Sequence, residues 1–278
     1  MWDASVSRKQ INRLGKRLAA GADLSPDEQR LLREVIAAFD EAKETVQGRL
    51  KAIGIASTGR PKERVTLQEK LARTGLPLLI VDDIAGVRTV VPDGRQTQDE
   101  IVARIVEEFA GELAKQVKDR RDEPSHGYRA VHVIVKIDGL RVEVQVRTEA
   151  QDLWAQIIEA LGGKWGRELR YGEPITWADR PIFPGADMTR QELFEFCLEL
   201  SEDIDGIELL RLDASQASKD LASLRRNFRH WVIAPAQLMG FHLRHARLMR
   251  RLRIHDARML NNLNRLARVV KNLEVPPQ

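Results

Sequence analysis

Two carboxylates, an imidazole, an amide, a phenol and several guanidinium groups lie in the middle of this chain at spacings that a β-sheet can gather. The stretch from His126 to Thr148, HGYRAVHVIVKIDGLRVEVQVRT, alternates apolar and polar residues on either side of Asp138–Gly139. Asp-Gly is a preferred two-residue hairpin turn. It sets Ile137 opposite Leu140, so Ile134 faces Glu143, His132 faces Gln145 and Ala130 faces Arg147. Paired residues share a face, as do alternate residues along one strand. One face is therefore Val131, Val133, Val135, Val142, Val144 and Val146, and the other carries Tyr128, His132, Glu143, Gln145 and Arg147. A half-solvated antiparallel sheet also alternates, but its outer face is usually richer in Lys and Thr. Upstream, VDDIAGVR puts Asp83 at a bend in a second apolar strand. A carboxylate there is costly unless paired or bound to metal. Asp83 and Glu143 together could hold Mg²⁺ between strands. With the basic residues of GRPKER close in sequence, the set points to phosphoryl chemistry, carboxylates for the metal and Arg or Lys for phosphates.

The elements that must position these groups are legible in outline. In LSPDEQRLLREVIAAFDEAKETVQGRLKAI, Ser25 can cap a helix, Pro26 suits its first position and Glu28 completes a capping box. Leu31, Leu32, Val35, Ile36 and Phe39 recur at helical spacing. ASTGRPKERVT reads as a loop, LQEKLART as a short helix, and LPLLIVDDIAGVRTVV as a strand, a kink and a continuing strand. TQDEIVARIVEEFAGEL is an amphipathic helix, KQVKDRRDEPSHG a short strand with a polar loop, and AQDLWAQIIEAL a helix after the hairpin. Glycine and proline cluster between Gly172 and Gly185 and mark a boundary. Two or three helices follow. The fold class predicted is α/β (α+β), a mixed sheet flanked by helices, with an all-helical C-terminal region. The expected organisation is an N-terminal extension at 1–24, a catalytic domain at 25–171, a linker at 172–187 and a basic helical region at 188–278.

The chain has 278 residues, 43% apolar and 31% charged, which is enough to build a real core. The single cysteine, Cys197, excludes an intramolecular disulfide and fits a reducing, cytoplasmic setting. The N-terminus lacks the apolar run of a secretory signal, and no stretch is apolar enough to span a bilayer. Net charge is +4, but residues 225–271 hold twelve Lys/Arg and one acid, Asp256, a local balance of +11 that leaves −7 for the rest. Such asymmetry suggests either a polyanion partner or a basic helix packed beside an acidic body. Arg244, Arg247, Arg251, Arg258 and Arg265 can share one helical face, with Leu248, Leu252, Leu260, Leu263 and Leu266 supplying a docking side. His255–Asp256 in this segment reads as surface rather than as a metal site.

GRPKERVTLQEKLARTG, VDDIAGVRTVV, HGYRAVH, VEVQVRT and LWAQIIEAL, in this order, resemble the synthetase domain of the RelA/SpoT family as found in small alarmone synthetases. The resemblance covers roughly residues 30 to 171. It implies a nucleotidyltransferase-like mixed sheet and transfer of the β,γ-pyrophosphate of ATP to the 3′-hydroxyl of GDP or GTP, with Mg²⁺. It further implies that Arg60 stacks on adenine and Lys62 meets phosphates, with Arg88 on the ATP side. Asp83 would bind metal, and Glu143 would bind metal and help activate the hydroxyl. Tyr128 would stack on the acceptor base, His132 would lie near the acceptor phosphates and Gln145 would join the acceptor side, although structural support is the role that better suits Arg88, Gln145 and Arg147. The family usually has Asn where His126 stands, a Pro-Lys pair where this chain has DRRDEPSHGY, and Glu-His where it has Glu159–Ala160. The hydrolase domain of longer members is not expected. A second reading is a toxic relative that modifies the 3′ end of tRNA, with Arg244, Arg247, Arg251 and Arg258 as the tRNA surface and a neutralising antitoxin as partner. A third is an inactive nucleotide-binding regulator, against which the retained Asp83, Glu143, Tyr128, Arg60 and Lys62 argue. The C-terminal helices would also suit a homo-oligomer.

Overall fold

The computed structural model describes residues 7–61, 64–92, 94–166, 169, 171–175, 177–227 and 235–273. Among the described residues, seven α-helices and five strands follow in the order α1 (Arg8–Ala19), α2 (Pro26–Ala52), β1 (Thr58–Pro61), α3 (Arg64–Thr74), β2 (Ala85–Val91), α4 (Arg95–Glu108), β3 (Lys118–Asp119), β4 (Val131–Ile137), β5 (Leu140–Thr148), α5 (Glu149–Trp165), α6 (Arg190–Asn227) and α7 (Pro235–Asn272). The strands form one mixed sheet in the order β1-β2-β5-β4-β3. None of the described helices is long and apolar enough to cross a membrane.

Two compact units divide the chain. The first comprises Met1–Val90, Asp99–Asp119 and Val131–Arg147; the second comprises Val91–Gln98, Arg120–Ala130 and Thr148–Gln278. In the first, α2 starts as its sequence dictates: the Ser25 hydroxyl accepts from Glu28 N and the Glu28 carboxylate accepts from Ser25 N. Leu32, Val35, Phe39, Val46 and Leu50 are buried along it, and it packs on β1 and β4. The β4–β5 hairpin has the expected register: His132 faces Gln145, Ile134 faces Glu143 and Ile137 faces Leu140. Asp138 and Gly139 both take positive φ, 49° and 86°, which the tight turn requires. All six valines of its inner face are at most 2% exposed.

Three local expectations change. The segment around GRP is not a loop: Thr58–Pro61 pairs antiparallel with β2, Arg60 opposite Gly86. A short strand of Thr, Gly and Pro carries little intrinsic β signal and exists because a neighbour supplies the ladder. Conversely, LPLLIVDD does not begin a strand. Leu78–Ile80 is a 3₁₀ turn after Pro77, because Leu78 and Val81 turn inward to complete burial and Leu78 packs against α1 at Gly15. Asp83 therefore sits in a turn before β2, not at a kink within a strand. Within the N-terminal segment, residues 8–19 form α1, capped by Ser7 and Gln10.

In the second unit, α5, α6 and α7 pack together around Trp154, Ile157, Leu161, Cys197, Leu263 and Val270. Thr148 caps α5, accepting from Gln151 N while Gln151 reaches back. Burial pushes the Cys197 thiol up to about 12, so it behaves as a small apolar residue. Leu260, Leu263 and Leu266 of α7 all pack on this cluster, as their spacing predicts. Asp256 overturns its surface reading: it is 8% exposed and ion-pairs with Arg211 of α6 at 3.0 Å. Its neighbour His255 is exposed.

Candidate functional site

On the polar side of the hairpin, β5 places Glu143, Gln145 and Arg147 at alternate positions, and β4 places His132 opposite Gln145. They form a chain of contacts. Arg147 donates to the Gln145 carbonyl at 2.8 Å, the Gln145 amide donates to Glu143 Oε2 at 2.6 Å, and His132 Nδ1 lies 3.0 Å from Glu143 Oε1. Gln145 is thus occupied in orienting Glu143, which supports a structural role over acceptor contact. Glu143 is 8% exposed. Burial acts to raise its pKa, but hydrogen bonds from His132 and Gln145 and the charge of Lys70 more than offset this and hold it at about 2. Glu143 is a fixed anion at neutral pH.

Lys70, on α3, ties Asp83 to this anion. Its ammonium pairs with the Asp83 carboxylate and its charge also lowers the Glu143 pKa. Two carboxylates far apart in sequence therefore share one cation. The adjacent Asp82 is held by Lys115 at 2.5 Å and by Arg141 at 2.9 Å. Asp82, Lys115, Lys118, His132, Ile134 and Glu143 line a cleft of about 340 Å³. Its lining thus combines two lysines, suited to phosphate groups, with two carboxylates, suited to a cation.

Mg²⁺ is commonly bound through one or two carboxylates together with substrate phosphates. Asp83 and Glu143, both oxygen donors reached by the same lysine charge, fit that preference. Among the described residues no group of three or more His, Cys, Asp or Glu gathers at one point.

Not every expected site residue joins this cluster. Arg60 lies in β1, paired with Gly86, but its side chain and all of Lys62 lie outside the described residues. Arg88 sits on β2 opposite Thr58, half-buried. Tyr128 is not on a strand. It closes a tight turn with Ser125 in the second unit and packs, partly buried, against the helical cluster of that unit. Of the basic face of α7, Arg247, Arg251 and Arg258 are exposed, while the side chain of Arg244 lies outside the described residues. Lys70, Lys115 and Arg141 were not singled out from sequence. Each is an unremarkable base in a charged stretch, and only the approach of Asp82 and Asp83 gives it a role.

A family model described as "Region found in RelA / SpoT proteins" matches residues 59–163. An uncharacterized protein of Mycobacterium tuberculosis is 38% identical over 177 residues, 60% of this chain and 63% of that protein, so the chain spans just under two thirds of that relative. The GTP pyrophosphokinase YjbM of Bacillus subtilis is 32% identical over 130 residues, 40% of this chain and 58% of its own length. Among solved structures, the small alarmone synthetase 1 from Bacillus subtilis bound to its product pppGpp aligns with a TM-score of 0.47 at 20% identity, covering 69% of this chain and 99% of that one. Residues 59–163 are therefore similar to the region found in RelA/SpoT proteins.

Proposed function

We propose that the chain is a pyrophosphokinase that transfers the β,γ-pyrophosphate of ATP to a ribose 3′-hydroxyl, with GDP or GTP as acceptor and (p)ppGpp as product. The observation that carries this reading is the Asp83–Lys70–Glu143 cluster, two carboxylates sharing one ammonium beside a basic cleft, inside a segment matched to RelA/SpoT proteins. The likeness to a protein named GTP pyrophosphokinase supports it. In the reaction the 3′-oxygen attacks the β-phosphorus, the bond from that phosphorus to the α,β-bridging oxygen breaks, and AMP leaves with the electron pair. The hydroxyl proton passes to a carboxylate or to solvent.

Asp83 and Glu143 would hold Mg²⁺, which offsets charge developing on the phosphates. A carboxylate at about 2 is a weak base. It suffices here because a loose phosphoryl-transfer transition state needs little deprotonation of the nucleophile. Glu143 then acts chiefly by charge and by accepting a hydrogen bond from the hydroxyl. Lys70 is a point charge suited to a phosphate once Asp83 is otherwise neutralised. Arg60, Lys62 and Arg88 are assigned to ATP, and Tyr128 and His132 to the acceptor, on the strength of the resemblance.

A second reading shares the chemistry but takes tRNA as acceptor, with a neutralising antitoxin as the expected partner. The exposed Arg247, Arg251 and Arg258 on α7 favour it, because phosphate contacts dominate nucleic-acid affinity. The deciding experiment incubates the protein with γ-labelled ATP, Mg²⁺ and either GDP/GTP or bulk tRNA. Label in the guanine nucleotide supports the leading reading. Label in tRNA alone, lost on reversing Arg247, Arg251 and Arg258 to Glu, supports the second. No label in either pool from folded protein leaves the inactive nucleotide-binding regulator.

A further inference from the structure

Tyr128 is the residue assigned to the acceptor base, and it lies in a turn ahead of β4 rather than on a strand. Its turn is closed by two backbone bonds, Tyr128 N to Ser125 O at 3.0 Å and Ser125 N to Tyr128 O at 3.3 Å. The two central residues, His126 and Gly127, both have positive φ, 50° and 79°. Positive φ is uncommon for any residue other than glycine, so contacts from outside the turn help to hold it. A Cβ at Gly127 would lie 2.7 Å from the Trp154 ring, so the turn lies directly on α5.

The support comes from α6. Ser201, 1% exposed, donates its hydroxyl to the Gly127 carbonyl at 2.5 Å and accepts from Arg129 Nε at 3.2 Å. The same Arg129 guanidinium reaches Glu202 at 2.8 Å and Asp205 at 3.4 Å, and also donates to the Arg121 carbonyl. Arg129 is 4% exposed. One turn of α6 therefore grips the residue before Tyr128 and the residue after it. All of this lies in the second unit, and α6 begins well beyond the segment 59–163 that matches RelA/SpoT proteins.

We infer that α6 belongs to the acceptor site, with Ser201 and Arg129 as the pair that positions Tyr128 and so tunes affinity for the acceptor base. The inference rests on the pyrophosphokinase reading. A preorganised stacking ring binds better than one that must be ordered on binding. A loosened turn should therefore weaken acceptor binding and leave ATP binding and the chemical step alone.

The test is steady-state kinetics of Ser201→Ala with ATP and whichever acceptor the wild type labels. The expected result is a rise in acceptor KM of about five- to tenfold, the worth of one hydrogen bond, with ATP KM and kcat within about twofold. Should Ser201→Ala melt too early to assay, Glu202→Gln loosens the same clamp at a side chain that is 68% exposed, with an expected rise of about twofold. An unchanged acceptor KM in both folded variants overturns the inference, and so does a parallel rise in both KM values, which marks general loosening. A wild type that labels no acceptor removes the pyrophosphokinase reading and this inference with it. A labelling wild type with an indifferent Ser201→Ala removes the inference alone.

Discussion

Replacing Glu143 by glutamine separates charge from shape at the centre of the site. The carboxylate is 8% exposed and is met by His132 Nδ1 at 3.0 Å and by the Gln145 amide at 2.6 Å. Although burial opposes ionisation, these contacts and Lys70 bring its pKa from 4.5 to about 2. At about 1.4 kcal/mol per tenfold change in proton affinity, that is on the order of 3 kcal/mol of folding stability at neutral pH. Because the folded value lies below the unfolded one, the contribution is full above about pH 4.5 and declines as pH falls toward 2. By about pH 3 less than half remains. Glutamine keeps the volume, but its NH₂ group replaces one of the two oxygens that meet His132 and Gln145, and a buried donor left unpaired costs about 1–3 kcal/mol. Urea melts of both proteins should therefore differ by about 3 kcal/mol at pH 7, and the gap should narrow clearly by about pH 3. Transfer from γ-labelled ATP at pH 7, corrected for folded fraction, should drop by about two to three orders of magnitude. Equal stabilities at pH 7, or turnover within about tenfold of wild type, would refute the account of Glu143 as a paired, functional anion.

Lys70→Met removes the ammonium shared by Asp83 and Glu143. Transfer should fall about a hundredfold and the acid limb of the pH–rate profile should move to higher pH, both read from initial rates; an unmoved profile counts against the shared cation. Gly127→Ala puts a Cβ 2.7 Å from the Trp154 ring at a backbone φ of 79°. A loss of about 1–3 kcal/mol should appear in thermal melts together with a change in tryptophan fluorescence. Arg49 binds Glu108 at 2.9 Å, also pairs with Glu112, and stacks on Phe109 at 4.0 Å. Arg49→Ala should destabilise by about 1–2 kcal/mol without altering the transfer rate of folded protein, and a rate loss at full stability would contradict its purely structural place.

What the sequence determined by itself was whatever short-range rules govern. Asp138–Gly139 selects a tight turn, the turn selects the register, and period-two alternation then places six valines on one face and His132, Glu143, Gln145 and Arg147 on the other. Ser25 and Glu28 start α2 for equally local reasons, and the leucine spacing of α7 names its buried side. Tertiary structure decided what depends on partners distant in the chain. Thr58–Pro61 is a strand only because β2 runs beside it. Leu78 leaves the expected strand because its burial against α1 outweighs an extended ladder. Asp82 and Asp83 are adjacent and chemically alike, yet one meets Lys115 and Arg141 and the other Lys70. Asp256 looks like part of a surface motif until Arg211 arrives from α6. Arg129 has no assigned role in the sequence, and its partners Ser201, Glu202 and Asp205 come from a helix far along the chain. A charged side chain's role is set by the field of the groups around it, and in each of these cases that field is assembled by folding.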